Sequence, residues 1–156
     1  MDVVSMVGLH AIVGIAGLRL AVIDLAEHRL PDRITAPLAA AVLVWALVFG
    51  ERGTVARALG EAFLTAGIFA LLAYLPSRPL GLGDVKLQAS LGFYAALVVH
   101  GGGVAQAVGS FVLGGVAAGT LLVSGKIGPQ QAIPFGPFMV AAAFLVGWWG
   151  ETGKII

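Results

Sequence analysis

The sequence predicts an all-α membrane protein, a single bundle of six transmembrane helices, and three observations carry that prediction. Of 156 residues, 59% are apolar and only 11% charged, whereas a soluble domain carries about 25% charged residues. The mean hydropathy is +1.00. Six apolar runs near 20 residues each, the length that crosses a bilayer as a helix, nearly use up the chain. Little is left for a second domain, so 1–156 reads as one. Nine Lys and Arg against eight Asp and Glu give no basic excess for nucleic acid, and with no cysteine there is neither a disulfide nor a thiolate metal site.

Taken in order, the runs are 3–23, 34–50, 55–75, 85–100, 104–124 and 133–149. The first lacks the basic region of a cleaved signal peptide and is read as a retained span. The second and fourth are close to the lower length limit. All six should be helices, because backbone polar groups in hydrocarbon must be satisfied within the segment and barrel strands are shorter and alternate. Within the third, Arg57 and Glu61 stand one helical turn apart and predict a structural ion pair in the outer half of the bundle. The fifth carries Gly115-x-x-x-Gly119, a seam that lets helices approach closely in lipid. Internal packing is its expected use, with a dimer seam as the alternative. The sixth opens on Ile133-Pro134-Phe135-Gly136-Pro137-Phe138, where the prolines suit an irregular, cavity-lining start.

Orientation follows the positive-inside rule. With the amino terminus outside, Arg29, Arg33, Arg78, Lys86 and Lys126 lie inside, against Arg52, Arg57 and Lys154 outside, and Arg19 adds to the inner side by snorkelling. Three connections then share the inner face and hold the least ordinary sequence. Asp24 ends the first span and Asp84 opens the fourth, so counting crossings places two carboxylates at one depth. Gly81 and Gly83 precede Asp84 and read as a non-helical approach to a helix start, where backbone either comes close to a neighbour or takes positive φ. Two acids at one membrane edge suit aspartic protease chemistry. Like charges held close share one proton, so one carboxylate takes a proton from water while the other donates to the carbonyl oxygen. No serine lies in a nucleophile-elbow pattern.

At these residues the chain resembles the type IV prepilin peptidases. The likeness runs through Leu30-Pro31-Asp32-Arg33-Ile34-Thr35 after the first aspartate, Gly81-Leu82-Gly83-Asp84-Val85-Lys86-Leu87, and Ile133-Pro134-Phe135-Gly136-Pro137-Phe138. The presenilin branch shares Gly-x-Gly-Asp, but its first aspartate follows a tyrosine, and Ile23 stands here. The resemblance implies that Asp24 and Asp84 are catalytic and face the cytoplasm from the inner membrane. It further implies a substrate with a short basic leader ending in glycine before an apolar helix, and an indirect link to pilus or secretion machinery. Without the cysteine-bearing extension of the longer relatives, peptidase activity is expected and methyltransferase activity is not.

Around that pair, Gly81, Gly83, Pro31, Pro134, Gly136 and Pro137 are expected to shape the active site, with Gly81-Leu82-Gly83 as a hinge. Lys86 lies about 200° round the helix from Asp84 and is read either as a support for the pair or substrate, or as a snorkelling lysine. Glu27 is a tentative contact for the basic leader, weighed against a solvated loop charge. One nearby histidine, His28, is too few for a zinc site, and no cofactor is expected. Two other readings remain: a small cation or proton transporter using the same carboxylates, and a noncatalytic pilus-assembly subunit.

Overall fold

A computed structural model describes residues 2–75, 80–128 and 131–152. Its helices are α1 (Val3–Glu27), α2 (Asp32–Phe49), α3 (Arg52–Ala73), α4 (Leu82–Val98), α5 (Gly102–Val123) and α6 (Gly136–Thr152). Among the described residues there is no strand. Arg78 and Lys154, which entered the charge count, lie outside them.

Local chemistry explains the helix ends. Asp2 caps α1, its carboxylate accepting from the Ser5 N–H at 2.9 Å, which satisfies one of the unpaired donors at a helix start. The first helix runs one turn beyond the expected boundary near residue 23. It closes at His28, whose φ of 51° places it in the left-handed region and whose N–H reaches the Asp24 carbonyl. Asp24 therefore hangs from the last turn of α1 rather than ending it. Pro31 precedes α2, and its carbonyl accepts from the Ile34 and Thr35 N–H groups. Likewise α6 begins only at Gly136, after non-helical residues 131–135, so the irregular stretch expected from Pro134 is present. Pro137 occupies the second helical position, where a missing N–H costs no intrahelical bond.

Length and hydropathy make α1, α2, α3 and α5 long enough and apolar enough to cross a membrane. The other two, α4 and α6, have 17 residues each, about 26 Å at 1.5 Å per residue. Fully enclosed packing explains how α4 tolerates that length: it packs against α2, α3, α5 and α6, and every residue from Leu87 to Val98 except Ala89 is buried. Protein rather than lipid surrounds it, so polar side chains are admissible on it. Gln88 is fully buried and donates to Gln106 Oε1 at 2.7 Å. Gln106 in turn donates to Ser110 Oγ and the Met139 carbonyl. This chain of bonds fastens α4, α5 and α6 together. The outside of the bundle bears exposed Val44, Leu47, Phe63, Leu71, Val116 and Trp148, a contiguous apolar exterior of the kind that lipid covers. The protein is a multi-pass membrane protein.

At the end of the bundle remote from Asp24, Arg57 donates to Glu61 at 2.6 Å, as their spacing predicts. The pair does more than expected. Arg57 also bonds the Ala96 carbonyl at 2.9 Å, and Glu61 accepts from the Gly101 and Gly103 N–H groups at 3.1 and 3.0 Å. Glu61 thus caps α5 from α3 while Arg57 holds the end of α4. The Gly115 and Gly119 pair departs from expectation. A Cβ at either would meet open space, whereas a Cβ at neighbouring Gly114 would come within 2.9 Å of Phe135. Internal packing is therefore the work of Gly114, and the Gly-x-x-x-Gly face points out of the bundle.

Candidate active site

The connections that join α1 to α2, α3 to α4 and α5 to α6 fall at one end of the bundle. Asp24 is 5% exposed there, and its Oδ2 accepts from the Gly136 N–H at 2.8 Å. That donor belongs to the first turn of α6 and is one of the groups that a helix start leaves unpaired. The partial positive charge of that helix start favours a carboxylate at this point. A side chain at 136 would ruin the contact, since a Cβ would stand 2.9 Å from Asp24 Oδ2.

Asp84 is held in a parallel way. The helix starts earlier than its glycines suggest: Gly81 is the cap of α4, Gly83 lies inside the first turn, and Asp84 is the third helical residue. Neither glycine takes positive φ, so close approach is the operative reason at Gly83, where a Cβ would lie 2.9 Å from Leu30 Cβ. Asp84 Oδ2 accepts from the Gly81 N–H at 2.8 Å, half of a capping box. Each carboxylate therefore has one oxygen fixed by a glycine N–H at a helix start. Among the described residues, the other oxygen of each has no hydrogen-bond partner. The two helix starts are joined through Leu30, which lies against both Gly83 and Gly136. An apolar groove of about 340 Å³ lies at the same end of the bundle, lined by Leu72, Leu80, Phe111, Gly114, Phe135 and Phe138 among others but not by the carboxylates themselves. Leu80 and Phe135 directly precede the two glycines that hold the carboxylates.

Residues 11–150 match the type IV leader peptidase family. The chain belongs to that family. This leader peptidase is 38% identical over 130 residues to leader peptidase HopD of Escherichia coli, covering 80% of this chain and 82% of that one. It is 33% identical over 150 residues to HopD of Salmonella typhimurium, covering 84% and 86%. Against the prepilin leader peptidase/N-methyltransferase of Bacillus subtilis it is 29% identical over 137 residues, 85% of this chain but 52% of that one. No solved structure is significantly similar.

In the leader peptidase the remaining expected site residues separate. Lys86 touches neither aspartate: its Nζ bonds both oxygens of Asp32 at 2.7 and 2.8 Å, tying the start of α2 to the first turn of α4. Both side chains are more than half exposed, so the pair contributes about 0–1 kcal/mol. Lys86→Met is accordingly expected to shift thermal stability by no more than about 1 kcal/mol, read from unfolding in detergent. A larger loss would mean the pair does more than join two helix starts. Glu27 is exposed on the last turn of α1, although Asp24 three residues earlier is buried. Pro31, Pro134 and Pro137 lie half-buried at the same end.

Gly136→Ala tests the tightest contact. The methyl group would press on Asp24 Oδ2, and if Asp24 reacts, as the resemblance implies, a small misplacement of it is costly. Leader removal is expected to fall about 10- to 100-fold with the protein still folded, as judged by its elution and melting profile. Wild-type rates in that variant would show that the Gly136 contact does not set the position of Asp24. Sequence reasoning did not foresee that Leu30 packs against both Gly83 and Gly136, and it missed the Asp32–Lys86 and Gln88–Gln106 pairs. Only the polarity of Gln88 within an apolar run signalled any of them.

Proposed function

We propose that Asp24 and Asp84 are the catalytic pair of an aspartic endopeptidase that removes the basic leader from prepilin-type precursors. The cut falls after a glycine at the cytoplasmic edge of the inner membrane. The observation that carries this reading is the matched anchoring of two carboxylates at one end of the bundle, each held through one oxygen with the other left for water or substrate. The chain is read as a single catalytic domain, amino terminus outside. The basic residues of its connections support that orientation.

The chemistry needs no nucleophilic side chain. One carboxylate is ionised and accepts a proton from water as the water oxygen bonds to the peptide carbonyl carbon. The other, protonated, donates to the carbonyl oxygen. Collapse of the tetrahedral species breaks the C–N bond: the proton first taken from water passes to the departing amine, and an O–H proton of the tetrahedral carbon returns to the second carboxylate as the C=O bond reforms, restoring the pair. A glycine before the apolar segment suits this site because it disfavours helix and leaves the peptide bond reachable. The apolar groove at the same end of the bundle offers the following apolar segment a surface to rest on. Glu27, exposed at the same end, is read as the contact for basic leader residues.

The test is direct. Purified protein in liposomes is given a precursor with a basic leader, a glycine and an apolar helix, and the product's new amino terminus is read by mass spectrometry. Cleavage directly after the glycine, insensitive to serine, cysteine and metal protease inhibitors, is expected. An uncut precursor, or a cut inside the apolar helix, would overturn the reading.

A further inference from the structure

Leu30 stands between the two halves of the site. Its Cβ is 2.9 Å from where a Cβ on Gly83 would lie, with Cγ and Cδ1 at 3.6 and 3.5 Å. Its Cδ2 is 3.3 Å from where a Cβ on Gly136 would lie, the same point that falls 2.9 Å from Asp24 Oδ2. One side chain therefore packs against the backbone just before Asp84 and against the glycine that holds Asp24. The space left by two missing side chains is already filled by Leu30 and is not free for a ligand.

Pro31, with its restricted φ, follows Leu30 and limits the backbone freedom at this point. The exposed Asp32–Lys86 contact bridges the adjoining start of α2 to the helix that carries Asp84 but adds little rigidity. Leu30 is only half-buried, so part of its side chain stays accessible at this end of the bundle.

We infer that Leu30 is a specificity-determining residue that restricts the substrate position before the cut to glycine. This rests on the proposed cleavage between Asp24 and Asp84. The substrate residue that supplies the scissile carbonyl must lie between the carboxylates, and there it runs alongside Leu30. Glycine presents no side chain to that wall. Alanine presents a methyl group where the wall is already packed against two backbones, and neither Gly83 nor Gly136 has a side chain to move aside. A misfit of one carbon in an apolar pocket changes selectivity by about 10- to 200-fold.

The experiment uses two precursors that differ only in glycine or alanine before the cut, given to the full-length protein and to its Leu30→Ala and Leu30→Val variants in liposomes. The readout is the ratio of kcat/KM for the glycine precursor to that for the alanine precursor. Shortening Leu30 to alanine is expected to lower that ratio at least tenfold, with valine in between. A ratio that stays constant overturns the inference, and so does equal acceleration of both precursors, which would make Leu30 a movable cover rather than a wall. If Leu30→Ala does not fold, Leu30→Val carries the same comparison. Failure of the wild-type protein to cut the glycine precursor would instead sink the proposed peptidase pair.

Discussion

Asp24→Asn and Asp84→Asn are each expected to lower leader removal by about 10²- to 10⁴-fold, the usual contribution of a positioned acid or base. Asparagine is the informative replacement because its amide oxygen can still accept the glycine N–H that holds each aspartate at 2.8 Å. Helix starts and packing are thus preserved while the proton traffic is lost. Asp24→Ala, by contrast, would also strip the start of α6 of its acceptor. Single-turnover cleavage of a precursor in liposomes measures the effect, with a melting profile to show that both variants are folded. Cleavage within a few-fold of wild type in either asparagine variant would remove that residue from the chemistry.

The largest stability effect is expected at the opposite end of the bundle. Glu61 accepts from Arg57 and from two N–H groups at the start of α5. Glu61→Ala leaves all three donors without it. Removing one partner of a buried ion pair costs about 3–5 kcal/mol. Side-chain exposures of 27% and 14% allow some solvent screening, which brings the expected loss to about 2–3 kcal/mol. Glu61→Gln keeps an acceptor for the glycines and should lose less. Unfolding in detergent gives the order wild type, then Gln, then Ala, while cleavage per folded molecule stays constant. Equal stability of the alanine variant would show that the network closes only in appearance.

What could be read from the sequence follows how local each signal is. The six helices were legible because each apolar run carries its own evidence, and Arg57–Glu61 was legible because four residues is one helical turn. The last turn of α1 was not, since Asp24 and Glu27 break the apolar run there, and the contact that holds Asp24 comes from the start of α6, 112 residues away. The glycines before Asp84 suggested an irregular approach, but the helix begins between them. Their role is to admit Leu30 and to donate to Asp84. Lys86 finds Asp32 across 54 residues and Gln88 finds Gln106 across 18, and neither partnership leaves a spacing that could be recognised beforehand. Gly115 and Gly119 have the right spacing for a packed seam, yet whether a seam faces inward depends on rotation of the helix about its axis. The two aspartates could be brought to one depth by counting crossings, but their glycine N–H partners required the fold.

The bond between Asp24 and Gly136 spans 112 residues, whereas Asp84 finds its partner three residues away. During synthesis the two acids therefore mature at different times. Asp84 can take up its geometry as soon as α4 forms, but Asp24 has no anchor until the sixth helix has been made and inserted. The proposed pair therefore reaches its observed geometry only once the last helix is in place.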